Sequence, residues 1–344
     1  MEAKKKPMTI VDVARACGVS KSAVAYILNG TGNHRTPEEK VRLVKETARA
    51  LGYRVNTAAR ALSKGKTSTI AIMMPIGGSE FYDRIAIAQQ ELLAERGFAS
   101  MFVLWGNRDS LDVANARIHR AVQTYSFDGV ITWEPNPVFQ EKDLPSVLYS
   151  YTPGIYDSVM ADIRTGIHIL LDYLKSMGHK NIGFIGLKDE LGAREFLASL
   201  KERDMHAEMS WMIDSVYHET YSNILKMDPK GPLPDALITQ SDVTAIPAIQ
   251  GLRQLGLSVP EDISIVSFDN ITDAAYCSPP LTTLDLQVDK IALALVDTLC
   301  QKISEGTRAP EEAPKQILIP PRLIIRESCI RKIREDDAKK RKRT

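Results

Sequence analysis

The stretch from Thr9 to Asn29 leaves little freedom in what it can fold into. Thr9 is a helix-capping residue with Asp12 three positions on, the two members of a capping-box-like pair. Ile10, Val13, Ala14 and Cys17 fall at i, i+3, i+4 and i+7 and form the buried stripe of a first helix. Gly18 supplies the left-handed residue that stops it. Ser20 opens a second helix whose Val24, Ile27 and Leu28 face inward. Lys21, Ser22 and Tyr26 are left on the outer face, because i and i+4 lie one above the other. A third helix is predicted from the capping box Thr36-Pro37-Glu38-Glu39, with Pro at the first helical position, through Val41, Val44, Ala48 and Leu51 to Gly52. Such a trio buries a miniature core and presents its second member outward. That is the layout of a helix-turn-helix, although the spacing alone also fits a generic three-helix bundle.

Residues 56–65 narrow the choice. Asn56 can cap a short helix through residues 57–63, closed by Gly65, and Leu62 then sits on a segment too small to bury it. An orphan apolar residue on a basic linker is what a minor-groove wedge needs, since it can part a base step and kink a duplex. Charge agrees. Residues 1–66 hold 14 Lys/Arg against 5 Asp/Glu, residues 67–330 hold 22 against 35, and residues 331–344 hold 8 against 3. The near-neutral total of +1 therefore hides a basic head on an acidic body, as suits a head that meets phosphates.

These first residues resemble the head of the lactose-repressor/galactose-repressor family of bacterial transcription regulators. The family pattern is matched at Thr9, Ile10, Asp12, Val13, Ala14, Gly18, Val19, Ser20, Val24, Leu28 and Asn29. It is matched again at Leu51, Gly52, Tyr53, Asn56, Ala59, Arg60 and Leu62. Ala23 and Ala25 replace the usual Thr and Ser, and Val55 replaces the usual Pro, which leaves the linker less stiff. The resemblance implies that Lys21, Ser22 and Tyr26 reach base edges in the major groove, although Lys21 equally suits a phosphate. It assigns Thr9, Ser20, Asn29, Thr36 and Tyr53 to phosphates or to capping and packing, Asn56 and Arg60 to the hinge and backbone, and Leu62 to the wedge.

From Thr69 onward, short apolar runs alternate with helical stretches. Strands are expected at 69–74, 99–104, 128–132, 145–149, 157–161, 181–186, 209–213, 236–239 and 263–268, with helices over 81–96, 165–177, 193–202 and 243–255 between them. Continuous rather than alternating strand hydrophobicity indicates parallel sheets covered on both faces. Nine such strands point to two doubly wound halves with a ligand between them. The phrases beginning at Asp128, Met177 and Val259 resemble the periplasmic-binding-protein-like core of the same family. The expected class is thus an all-α head with a hinge helix on an α/β core of two doubly wound parallel-sheet halves. Residues 1–55 form the head, 56–68 the hinge, 69–330 the core and 331–344 a disordered basic tail. Within the core, 69–160 and 287–317 make one half, and 161–286 and 318–330 the other.

The resemblance maps ligand contacts onto Phe81, Tyr82, Trp133, Tyr151, Asp162, Arg194, Ser241 and Asp269, a set of aromatic faces with an Arg and carboxylates suited to a polar ring. Asp162 or Asp269 can instead cap the next helix, and Trp133 and Tyr151 can be core aromatics. A sugar and a nucleobase fit equally, and a pocket that no longer binds a ligand is the remaining alternative. The tail lacks the leucine seam a tetramerising helix needs, so a homodimer on double-stranded operator DNA is expected. Cys17, Cys277, Cys300 and Cys329 form no CxxC pair and read as reduced, mostly buried thiols of a cytoplasmic protein. No apolar run approaches the ~18 residues of a membrane span, and the amino terminus has no signal-peptide core. Hydrolase, zincin, dinucleotide and Walker motifs are missing, and His218-Glu219 lacks a second zincin His, so neither enzyme, metal nor cofactor is expected. A secreted binding protein, the other rival, has no use for the basic head. The expectation is a ligand-responsive regulator, most often a repressor.

Overall fold

A computed structural model of the chain describes residues 8–28, 36–53, 66–77, 79–106, 109–150, 155–305 and 313–332. They belong to two compact units, Met1–Thr67 and Ser68–Thr344. The expected hinge helix with Asn56, Arg60 and Leu62, the residues Asn29 and Tyr151, and most of the basic tail lie outside the described residues.

The head contains α1 (Ile10–Cys17), α2 (Lys21–Leu28) and α3 (Glu38–Ala50). The capping box at Thr9 is formed in both directions: the Asp12 amide donates to Thr9 Oγ1 at 3.4 Å, and the Thr9 amide donates to Asp12 Oδ2 at 2.9 Å. Gly18 ends α1 at φ +64°, a left-handed turn open to glycine at no cost. Ser20 Oγ then accepts from the Ala23 amide at 3.1 Å and starts α2. Val13, Ala14, Val24, Ile27, Val44 and Ala48 are buried together, flanked by half-buried Ile10, Cys17, Leu28 and Leu51. The start of α3 departs from expectation. Pro37 keeps an extended ψ of 139°, so it occupies the cap position itself and Thr36 falls one residue too early to cap.

The larger unit repeats one winding twice. Its first sheet contains β1 (Thr69–Ile76), β2 (Ala99–Gly106), β3 (Gly129–Thr132), β4 (Ser146–Leu148), β5 (Ser158–Ala161) and β11 (Gln316–Ile319), in the order β11-β5-β4-β3-β1-β2, all parallel. The second contains β6 (Ile182–Gly186), β7 (Met212–Asp214), β8 (Ala236–Thr239), β9 (Ser264–Phe268), β10 (Thr282–Asp285) and β12 (Arg322–Ile324), in the order β12-β10-β9-β8-β6-β7, with β12 antiparallel to β10. Helices α4 (Glu80–Glu95), α5 (Leu111–Thr124) and the single turn α6 (Val138–Glu141) connect strands of the first sheet. Helices α7 (Ile163–Ser176), α8 (Leu191–Leu200), α9 (Thr220–Ile224) and α10 (Asp242–Gln254) do so in the second. The chain passes from one sheet to the other between β5 and α7, returns by α11 (Val288–Glu305), which packs on α4 and on β3 to β5, and crosses again between β11 and β12.

Every expected strand has a counterpart, and burial along β3, β4, β5, β6, β8 and β9 is continuous, as a sheet covered on both faces requires. The unexpected strands β10, β11 and β12 are three or four residues long, and the last two are edge strands of mixed exposure. The expected burial of the cysteines holds for Cys329 alone; Cys17, Cys277 and Cys300 are half-buried free thiols.

One buried carboxylate organises the end of β9. Asp242, the first residue of α10 and fully buried, accepts from Thr283 Oγ1 at 2.6 Å and from the Ile271 amide at 2.9 Å. It thereby holds Asp269 at φ +106° and Asn270 at φ +52°, left-handed conformations that non-glycine residues rarely adopt and that cost roughly 1–3 kcal/mol each. Burial pushes the Asp242 carboxyl from 3.8 up to about 6, against hydrogen bonds and an Arg326 guanidinium that favour the anion. Between those values the unfolded chain is ionised while the native one keeps its proton. Stability is therefore fullest below the lower value and falls as pH rises through the upper one, by something on the order of 3 kcal/mol. Asp242→Asn removes this titration. Urea unfolding between pH 4 and 7 should show a shallower loss of stability in the variant, and an unchanged pH profile would contradict the assignment.

Candidate functional site

Two surfaces qualify, one on each unit. On the head, Ser20, Lys21 and Ser22 are exposed along the start of α2, and Tyr26 is 48% exposed one turn on. Tyr26 thus stands outside the core that buries Val24 and Ile27 on the same helix. Thr9 is exposed, its hydroxyl donating to Asp12 at 2.7 Å, so capping already employs it. Tyr53 is half-buried against the head core, and Thr36 is half-buried outside α3.

In the core, the carboxyl ends of both sheets' parallel strands converge on a cavity of about 430 Å³. Open α/β sheets leave a crevice where the strand order reverses, here between β1 and β3 in one half and between β6 and β8 in the other. From the first half come Phe81 and Tyr82 at the start of α4, Trp133 after β3 and Tyr149 after β4. The four rings form a connected run: Tyr82 lies 5.7 Å from Phe81, Phe81 5.8 Å from Tyr149, and Tyr149 4.8 Å from Trp133, centroid to centroid. From the second half come Phe184, Glu190, Gln240, Ser241, Phe268 and Asp269.

Among the described residues, the charged side chains that line the cavity are two carboxyls, Glu190 and Asp269. Asp269 is 9% exposed, and burial, with Asp242 close by, raises its carboxyl well above the usual range, while Arg84 pulls the other way. Partial burial raises Glu190 too, against a hydrogen bond from Gln240 Nε2. Burial first, then Asp269 and Glu190, push the Tyr82 phenol up to about 12, so it stays a neutral donor. Gln240 Oε1 accepts from the Leu187 amide at 2.8 Å, which fixes the amide that braces Glu190.

Five of the expected ligand residues thus meet in the cavity wall: Phe81, Tyr82, Trp133, Ser241 and Asp269. Two do not. Asp162 caps α7, accepting from the Thr165 amide at 3.0 Å and its hydroxyl at 2.7 Å. Arg194 is exposed on α8, because Ala193, Phe196 and Leu200 take the inward face and leave it turned to solvent. Sequence reasoning missed Tyr149, Glu190 and Gln240. Tyr149 and Gln240 stand at the carboxyl ends of expected strands, which was the available signal, whereas nothing in the sequence marked Glu190.

The cleft is also clasped across its mouth. Glu80 at the start of α4 accepts from the Thr272 amide at 2.7 Å and from its hydroxyl at 2.9 Å. Arg84, one turn further, donates to the Asn270 carbonyl at 3.1 Å. Arg326 Nη2 donates to Asn270 Oδ1 at 2.7 Å from within the second half. The turn that carries Asp269 is therefore held by both halves.

Comparison with known proteins agrees with this architecture. Residues 171–329 match the family described as periplasmic binding protein-like domain. The HTH-type transcriptional repressor PurR of Glaesserella parasuis serovar 5 (strain SH0165) is 26% identical over 340 residues, 93% of this chain and 98% of the relative. The lac repressor dimer bound to operator and the anti-inducer ONPF has the same fold, with a TM-score of 0.79 at 22% identity, over 94% of this chain and all of that one. The transcriptional regulator CelR in complex with cellobiose superposes with a TM-score of 0.65 at 23% identity, over 93% and 99%. No helix among the described residues is long and apolar enough to cross a membrane. With its helix-turn-helix head and its two-lobed core, the chain resembles, over nearly its whole length, transcriptional regulators of the lactose-repressor/galactose-repressor type.

Proposed function

We propose that this protein is a ligand-responsive, sequence-specific DNA-binding repressor that acts as a homodimer on a pseudo-palindromic operator. The observation that carries the reading is the presence in one chain of an outward polar helix on a basic head and a two-lobed aromatic cleft at strand ends. We assign no reaction to the cleft. A protein that works on operator DNA resides in the cytoplasm.

In this reading α2 enters the major groove, where Lys21, Ser22 and Tyr26 meet base edges. Thr9, Ser20, Asn29, Thr36 and Tyr53 meet phosphates, which supply affinity and register rather than sequence. Asn56 and Arg60 hold the linker to the backbone while paired Leu62 side chains part the central base step. The effector is a small metabolite between the core halves, a sugar or a nucleobase. The cellobiose held by one structural neighbour favours a saccharide. An effector that changes the closure of the halves strains or relieves the clasp from Glu80 and Arg84. A coupling of roughly 1–3 kcal/mol, about 5–150-fold in operator affinity, is the usual size of such linkage.

Selection of binding sites from random DNA tests the head. The full-length protein should return a two-fold symmetric consensus. Tyr26→Ala should relax base preference at one or two half-site positions, and Leu62→Ala should weaken consensus DNA more than random DNA. A consensus unaltered by Tyr26→Ala would remove it as a reader, and equal losses from Leu62→Ala would remove the wedge. A thermal-shift screen of sugars and nucleobases tests the cleft. A ligand at a hundredfold its Kd adds about 2.7 kcal/mol, which reads as a rise of a few degrees. Trp133→Ala should erase that rise, and a rise that survives would place the ligand elsewhere.

A further inference from the structure

The cavity wall sets two carboxyls against a run of aromatic faces. Among the described residues no lysine, arginine or histidine lines it, while Glu190 and Asp269 both do. Asp269 is the deeper of the two, 9% exposed, and no described side chain donates a hydrogen bond to it. Its charged surroundings are Asp242 from α10, which opposes ionisation, and Arg84 from α4, whose guanidinium is committed to the Asn270 carbonyl. Among the described residues, Tyr82 from α4 and Tyr149 after β4 also feel the charge of Asp269, and Glu190 before α8 lines the same wall.

Several neutral groups of the wall are already engaged by other groups of the protein. The Gln240 amide serves Glu190 and the Leu187 N–H, Ser215 donates its hydroxyl to the Val216 carbonyl at 3.2 Å, and Ser241 and Thr244 bond each other at 2.9 Å. A buried carboxyl with no cation opposite it is costly to ionise, and a cation arriving with a ligand removes that cost. Aromatic faces attract the same charge, most strongly once water is excluded.

Taking the cleft as the effector site, we propose that the effector is a small organic cation, a protonated amine received by Asp269 and flanked by Glu190, with its body against Trp133, Tyr149 and Tyr82. The inference rests on that reading of the cleft as the effector site and replaces its sugar-or-nucleobase class with one defined by charge. A saccharide effector is then an amino sugar, and sugar phosphates and acids are excluded.

Two matched sets of probes test it on the full-length protein by titration calorimetry: glucosamine, glucose and glucuronate, and tyramine, tyrosol and 4-hydroxyphenylacetate. At least one amine should bind about tenfold or more tighter than both of its analogues. Asp269→Asn should erase that preference while keeping the urea midpoint near wild type, since Asn tolerates the left-handed backbone. The amine's affinity should rise with pH while the amine stays protonated, because binding expels the carboxyl proton. The proposal is overturned if an alcohol or carboxylate binds as tightly as its amine, if neither amine binds, or if Asp269→Asn leaves the preference intact. Neutral or anionic binding that Trp133→Ala abolishes would overturn the charge assignment and leave the effector site standing. Should no probe, sugar or nucleobase respond to Trp133→Ala, the effector-site reading itself would fall.

Discussion

The core depends on a hydrogen bond between a buried carboxylate and one backbone amide. Asp242 accepts from Ile271 and from Thr283, and so pins the turn after β9 to the start of α10. It ties the two left-handed residues Asp269 and Asn270 to α10, while Arg84 and Arg326 hold Asn270 as well. With it, Asp269 points at the cavity, Asn270 meets Arg84, and Thr272 meets Glu80. A single turn therefore joins the ligand wall to the clasp between the halves, and any change at one end is felt at the other.

The doubled winding explains why that turn sits where it does. In each half, helices cover both faces of a parallel sheet, and folds of this kind take their ligands beyond the carboxyl ends of the strands. The three crossings between halves carry few residues, so relative movement of the halves bends short connections while both sheets stay intact. Rigid sheets also explain the one-sided chemistry of the wall. The aromatic run from Tyr82 to Trp133 is fixed by α4 and by the ends of β3 and β4, whereas the carboxyls come from the facing half. Closing the cleft brings π faces and negative charge together, a combination that selects the sign of what lies between them.

Much of this was legible in the residues. Strand runs were readable because parallel strands buried on both faces are apolar without alternation, and the Thr9–Asp12 box was readable because capping is local chemistry. What escaped depended on context. Strands β10 to β12 are too short to show a period and exist because neighbouring strands accept them. Thr36 failed as a cap by a single residue, within the usual uncertainty of helix ends. Arg194 was misplaced because its direction is set by the phase of α8, which Ala193 and Phe196 decide by burying themselves. Glu190 and Gln240 meet across fifty residues of sequence, and no local pattern announces such a pair. The cavity aromatics Phe81, Tyr82 and Trp133 were found because a known family's contact positions fell on residue types that suit a binding wall.

The most direct test of the clasp is amide hydrogen exchange of the full-length protein, wild type against Glu80→Ala. The Thr272 amide is protected only by a carboxylate from the opposite half, whereas the Ile271 amide beside it is protected from within its own half. The account predicts that Thr272 loses its protection in the variant by an order of magnitude or more while Ile271 keeps its own. Equal protection of Thr272 in both proteins would mean that the halves are not joined through this turn.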